Sequence, residues 1–314
     1  MSVLLVFFVY AIWSSCFAFA KIALAGSPPI FLTAFRMLLA AFLILGFVAI
    51  KDRLSLKLSL KQFFSLAILG FFSTYLTNIC EYWGLQHLSA GKACFIYSLS
   101  PFFSVIFSYF HFKEKLTFKK CLGLMIGFLG FLPVLMLQTG SEGLYSLWCS
   151  FSLPDLAIVG AALFSVYGWV LLRVLVKTNL SPLVINGFSM LIGGFFALVH
   201  SLCIDSWNPT PIIGSKLSYF LLGVSGMTLV SNIICYNLYG YMLKRFTATF
   251  LSFAGLISPI FASLNSWLIL GETPSITIFV STAIVSLGLW IVYQEELRQG
   301  YIQKKDLNLL STER

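Results

Sequence analysis

Apolar residues run along this chain in long blocks separated by short polar stretches. Ten such blocks lie at 3–22, 29–50, 63–86, 89–110, 117–137, 154–176, 181–203, 217–241, 247–269 and 274–293. A helix rises 1.5 Å per residue, so blocks of about 20 residues are each long enough to cross roughly 30 Å of hydrocarbon. The pattern predicts an all-α polytopic membrane protein with ten transmembrane helices. A mean hydropathy of +0.94, with 59% hydrophobic and 10% charged residues in a 314-residue chain, excludes a soluble globule with a polar skin.

The basic residues orient the spans. With a cytoplasmic N-terminus, sixteen Lys and Arg fall on cytoplasmic segments, among them Lys113, Lys115, Lys119, Lys120, Arg173, Lys177, Lys244 and Arg245. Lys21, Lys92 and Lys216 fall on the opposite side, and Arg36 lies inside a span. This asymmetry predicts that both termini are cytoplasmic. It also accounts for the formal charge of +9 through short juxtamembrane loops, so no nucleic-acid partner is implied. The first block lacks a basic n-region before Ala18-Phe19-Ala20, so it reads as a retained helix rather than a cleaved leader. Seven scattered cysteines with no C-x-x-C predict neither disulfides nor a metal site.

The chain repeats itself. The segment that starts Pro29-Ile30-Phe31 and includes Phe35, Arg36 and Met37 aligns with one that starts Pro182-Leu183-Val184 and includes Phe188, Ser189 and Met190, at an offset of 153. Pro101, Glu114 and Gly130 reappear as Pro259, Glu272 and Gly288 at an offset of 158, which implies an insertion of about five residues before or within the eighth helix. Five helices per half is odd, so the second copy enters the membrane from the other side. The predicted organisation is a first repeat over 1–140, an inverted second repeat over 141–293 and a polar tail over 294–314. Inverted halves can exchange conformations, which favours an alternating-access carrier.

Several of these segments resemble the drug/metabolite transporter superfamily, in its EamA-like ten-helix branch. The resemblance rests on Trp13 through Lys21, on Phe35-Arg36-Met37-Leu38-Leu39-Ala40, and on Ser98 to Pro101 followed by Phe112-Lys113-Glu114-Lys115-Leu116-Thr117. Ser258-Pro259 and Leu270-Gly271-Glu272 repeat the last pattern. Lys113 stands where that family usually has glycine, and Lys92 where it has small apolar residues. The resemblance implies a secondary transporter of a small organic solute in a bacterial cytoplasmic membrane. One member exchanges S-adenosylmethionine for S-adenosylhomocysteine, and the Phe- and Cys-rich spans are compatible with that cargo. An amino-acid or other metabolite exporter or importer of the same family, coupled to protons, is the alternative, ahead of a channel or an intramembrane enzyme.

Ionisable groups inside spans are costly and therefore candidate functional groups. Arg36, Glu81 and Lys92 are the main ones, all in the half of the membrane away from the cytoplasm. Glu81 and Lys92 flank a short hairpin at similar depth and could pair with each other or with a zwitterionic ligand; Lys92 could instead snorkel to the interface. Glu81 is also the candidate for proton coupling. Arg36 reads either as an anion contact or as a structural group bonded to backbone carbonyls. Tyr75, Asn78, Glu81 and Tyr82 recur at helical spacing on the third helix, so one face can line a wet cavity, and Asn232, Tyr236 and Tyr239 answer on the eighth. Trp13, Phe17, Phe95, Tyr167 and Phe250 complete a predicted aromatic lining suited to a flat heterocycle and a sulfonium. Pro101 and Pro259, mid-span and equivalent in the two halves, are hinge candidates. Glu114 and Glu272 are expected to cap helices or bridge basic loop residues.

No H-E-x-x-H, Gly-x-Ser-x-Gly or P-loop occurs, and His87, His111 and His200 are far apart in sequence. An intramembrane enzyme, a resident cofactor and ATP-driven transport are therefore not expected. Substrate, membrane lipid and a coupling proton or counter-substrate are the expected partners.

Overall fold

The computed structural model describes residues 3–88, 96–97, 99–139, 152–178, 180–258, 261 and 276–302, and they are helical with short turns. The main helices are α1 (Val3–Trp13), α2 (Cys16–Leu24), α3 (Pro29–Lys51), α4 (Leu60–Leu69), α5 (Thr77–His87), α6 (Ser100–Phe112), α7 (Phe118–Thr139), α8 (Leu153–Leu175), α9 (Pro182–Ile204), α10 (Leu217–Met227), α11 (Tyr236–Met242), α12 (Ala248–Ala254) and α13 (Ile276–Arg298). Among the described residues, five helical stretches are long and apolar enough to cross a membrane: Pro29–Lys51, Leu60–His87, Leu153–Leu175, Pro182–Ile204 and Gly214–Met242. Large apolar side chains such as Phe42 (67% exposed) and Phe195 (59%) project from them. Surfaces of that kind suit hydrocarbon, and the protein is a polytopic membrane protein.

Local chemistry sets several boundaries. Ser59 and Gln62 form a capping box at the start of α4, and Ser152 with Asp155 does the same for α8. The first span is broken rather than continuous as the hydropathy predicts. Ser14 and Ser15 donate their hydroxyls to the carbonyls of Ala11 and Ile12, each at 2.7 Å, and the chain turns there between α1 and α2. Such side-chain bonds compete with the helical ladder. Pro101 does not interrupt a helix as expected. It sits in the first turn of α6, where no intrahelical N–H bond is required.

Two spans are loosened in the middle. Gly70–Leu76 joins α4 to α5 and Thr228–Cys235 joins α10 to α11, both as π-helix. The N–H of Thr77 reaches the Phe72 carbonyl and that of Tyr236 reaches Ser231, five residues back in each case. Gly70 and Thr228, which open them, lie 158 positions apart.

Helix α3 packs along α9 and α7 along α13, α6 rests on α12, α5 on α8, and α10 on α2. Glycine allows the closest of these approaches. A Cβ on Gly193 would lie 2.5 Å from the Thr74 Cβ and 2.6 Å from the Gly70 carbonyl; one on Gly288 would lie 2.6 Å from the Gly123 carbonyl. Asn237 is placed to steady the π segment of its own helix, donating to the carbonyls of Ile233 at 2.8 Å and Asn232 at 3.3 Å.

Candidate functional site

Two groups of side chains meet inside the bundle. The first is polar. Arg36 of α3 is 5% exposed; its Nη2 donates to Asn78 Oδ1 of α5 at 2.6 Å, and Nη1 faces the Met227 sulfur at 3.5 Å. Its guanidinium lies over the Tyr82 ring, 5.7 Å from the centroid. Asn78 is held in turn by its amide bond to the Thr74 carbonyl at 2.7 Å. Glu81, one turn on, accepts from the Tyr97 hydroxyl at 3.5 Å and lies within electrostatic reach of Arg36. Tyr97 is also hydrogen-bonded to Ser165 of α8. Arg36 Nε is buried with no partner, and thioether sulfur is a weak acceptor for Nη1. The guanidinium thus keeps unused capacity for an anion.

The second group is aromatic. Trp13 of α1 contacts Trp169 of α8 edge to face, with ring centroids 6.0 Å apart, and Tyr236 and Tyr239 of α11 at 5.5 and 5.9 Å. Trp169 lies 5.2 Å from Tyr236 and 4.2 Å from Tyr239. Tyr236 joins the two groups, being within electrostatic reach of Arg36, Glu81 and Tyr82. Asn232 is fully buried beside them, its amide facing the sulfurs of Met37 at 3.1 Å and Met190 at 3.7 Å.

Beyond the aromatic group, the end of the bundle that carries the basic turns is closed by ion pairs. Arg173 Nη1 meets Glu114 Oε1 at 2.5 Å, and Lys120 Nζ meets Glu296 Oε1 at 2.6 Å, with Glu114 Oε2 at 4.0 Å. Thr247 donates to Glu296, and Thr117 to Glu295 at 2.9 Å. Glu114, Lys120, Arg173 and Glu296 are all buried. Glu114 therefore faces two basic residues, both on helices rather than on the loops expected. Both close ion pairs join a residue before 140 to one after it.

The sequence-based candidates divide accordingly. Arg36, Asn78, Glu81, Tyr82, Trp13, Tyr236 and Asn232 come together. Three others do not. Tyr75 bonds His200 Nδ1 at 3.2 Å and packs on Phe71 and Phe196. The π segment intervenes: i→i+5 winding puts more residues into each turn, so three- and four-residue spacing no longer marks one face. Tyr167 packs on Phe72, Phe107 and His111. Phe250 is fully buried between Phe246 and Tyr293. Lys92, Phe95 and Pro259 lie outside the described residues, as does the side chain of Phe17. Tyr239 of α11 joins the first set as well, whereas Trp169 is not one of the sequence-based candidates. Trp169 precedes Lys177 by the same eight positions that separate Trp13 from Lys21, a repeat signal that was there to be read.

The chain matches the EamA-like transporter family over residues 1–136 and 152–294. It is 40% identical over 304 residues to the S-adenosylmethionine/S-adenosylhomocysteine transporter of Chlamydia trachomatis serovar L2, covering 96% of this chain and 92% of that one. Its identity to the protein of the same name in Chlamydia muridarum is 39%, covering 96% and 94%. A WAT1-related chloroplastic protein of Arabidopsis thaliana is 26% identical over 89% of this chain and 66% of its own length. A solved structure, "Crystal structure of protein", superposes with a TM-score of 0.73 over 93% of this chain and 96% of that one; at 17% identity the likeness is one of fold.

Proposed function

We propose that this chain, which belongs to the EamA-like transporter family of the drug/metabolite transporter superfamily, exchanges S-adenosylmethionine for S-adenosylhomocysteine across the membrane. The observation that carries the reading is the meeting of the Arg36–Glu81 charges with the Trp13, Trp169, Tyr236 and Tyr239 rings. Both cargoes end in an amino-acid group, whose carboxylate suits the Arg36 fork and whose ammonium suits Glu81. The rings offer stacking to adenine and cation–π attraction to the sulfonium, about 0.5–2 kcal/mol. Two relatives at 39–40% identity carry the name S-adenosylmethionine/S-adenosylhomocysteine transporter.

The architecture behind this reading is ten transmembrane helices in two inverted repeats, 1–140 and 141–293, ahead of a tail over 294–314. The pairings α3 with α9, α7 with α13 and α6 with α12 each join counterparts of the two halves, as a twofold axis in the membrane plane requires. The π segments, 158 positions apart, support it too. With the basic turns facing the cytoplasm of a bacterial inner membrane, the buried ion pairs close the cytoplasmic end. Alternating access then requires Glu114–Arg173 and Lys120–Glu296 to part. Pro101 and Pro259 remain the hinge candidates, Pro101 as the start of a new helix.

A proton-coupled amino-acid or metabolite carrier is the second reading, favoured by Glu81, an acid inside a span that faces a tyrosine hydroxyl. Counterflow in proteoliposomes distinguishes them. Vesicles preloaded with S-adenosylhomocysteine are expected to accumulate labelled S-adenosylmethionine, while amino acids and nucleotide sugars leave the label outside. Silence toward S-adenosylmethionine, or uptake driven by a pH gradient without internal substrate, would overturn the exchange reading.

A further inference from the structure

The turn between α8 and α9 and the turn between α11 and α12 border two adjoining cavities at the basic end. One, about 430 Å³, is lined by Val176, Lys177, Leu180, Ser181 and Lys244. The other, about 330 Å³, shares Lys177 and Lys244 and adds Glu114, Arg173 and Arg245 among its walls.

The cations here are positioned by rings. Lys177 lies 5.1 Å from the centroid of Phe112, and Lys244 lies 5.2 Å from that of Tyr241. Among the described residues, Lys177, Lys244 and Arg245 have no carboxylate within 4.0 Å. Glu114 is the one carboxylate on these walls, and Arg173 occupies it at 2.5 Å. Arg173 is itself 5% exposed, with Nε lacking a partner. Ser181 caps α9, accepting the Val184 N–H at 3.3 Å, so the positive end of a 23-residue helix also opens on the first cavity. Partial burial and then the like charge of Arg173 lower the pKa of Lys177, with Glu114 opposing. The cleft gathers four cations against one engaged carboxylate.

We propose that this cleft binds the phosphate of an acidic phospholipid headgroup from the leaflet at the basic end. The turns stand where the spans end, at headgroup level, and basic pockets between transmembrane helices at that level suit such headgroups. Val176 and Leu180 give the first cavity an apolar wall beside its cations, which fits the glycerol and upper acyl chain of a lipid better than free phosphate.

The test uses the full chain purified in neutral detergent. It is titrated with phosphatidylglycerol, with phosphatidylcholine of the same acyl chains, or with inorganic phosphate, and read by native mass spectrometry and by melting temperature. Phosphatidylglycerol is expected to stay bound and to raise the melting temperature. The Lys177→Gln/Lys244→Gln double variant is expected to bind it at least 10-fold more weakly. A Lys115→Gln/Lys119→Gln variant removes two charges from the same end outside both cavities and is expected to bind as the unaltered protein does. Should the first double variant not fold, Arg245→Gln alone is expected to weaken binding about 3-fold. Equal retention of the two lipids, equal loss in both double variants, or displacement of the lipid by equimolar phosphate would each overturn the proposal. None of these readouts depends on the transported cargo.

Discussion

Trp13 and Trp169 meet edge to face with their ring centroids 6.0 Å apart. They sit the same eight positions before Lys21 and Lys177, and under the proposed repeat they are counterparts. The other counterparts differ. At the offset of 158, Asn78 and Glu81 correspond to Tyr236 and Tyr239, and at 153 Arg36 corresponds to Ser189. Arg36, Asn78 and Glu81 thus stand opposite Ser189, Tyr236 and Tyr239 in that alignment.

Replacing Trp169 by leucine keeps an apolar core residue and removes the π face. S-adenosylmethionine affinity is expected to fall about 2- to 30-fold, the equivalent of 0.5–2 kcal/mol. S-adenosylhomocysteine, a neutral thioether, is expected to change much less, and Trp169→Phe should restore most of the difference. Competition of each ligand against labelled uptake measures it.

Arg36→Lys keeps the charge and loses the planar fork. Uptake is expected to show KM raised about 10-fold or more, with Arg36→Met inactive. Both variants should melt close to the unaltered protein, because the native guanidinium is buried with one nitrogen unpartnered. A collapse of the melting transition in Arg36→Lys would assign the arginine a structural role instead.

One-for-one exchange of a cationic sulfonium for its neutral product moves one positive charge. An imposed potential of 100 mV is worth about 2.3 kcal/mol per charge, roughly a 50-fold bias. Potassium diffusion potentials of either sign in proteoliposomes should speed or slow exchange accordingly. Insensitivity to potential would mean that another ion travels with the cargo.

Glu296→Gln removes the charge that faces the buried Lys120 at 2.6 Å and leaves it only Glu114 at 4.0 Å. Breaking a buried pair costs about 3–5 kcal/mol, so the basic end is expected to open. A polar maleimide should then label an introduced cysteine at Thr247 faster from that side. Lys120→Met added to Glu296→Gln should recover stability.

Lys113 closes α6 with φ of +54°, a left-handed conformation that costs a side-chain-bearing residue about 1 kcal/mol and glycine almost nothing. Lys113→Gly is expected to stabilise the protein by about that much with unchanged uptake, as thermal melting and counterflow would show.

That lysine was legible in the sequence as a departure from a glycine position, though its backbone angle was not. Hydropathy located the five membrane-length helical stretches among the described residues because hydrocarbon thickness dictates block length. It could not see that Ser14 and Ser15 bend the first, since two hydroxyls barely alter mean hydropathy. Arg36, Asn78 and Glu81, which the structure brings together, stand out in the sequence because charge and amide inside a span are expensive. Tyr75 was misplaced because a helical wheel assumes one pitch. Phe250 and Tyr167 were misplaced because an aromatic ring that packs and one that binds look alike in sequence.

The π segments carry a consequence for motion. Each is a dislocation: one residue more than the helix around it needs for its rise. Sliding the dislocation past a side chain swings that side chain by roughly 100° while both ends of the helix stay moored. Tyr236 stands at the border of one such segment and Asn78 just beyond the other. A carrier built this way can re-aim both walls of its pocket by the travel of a defect, with the long helices left in place.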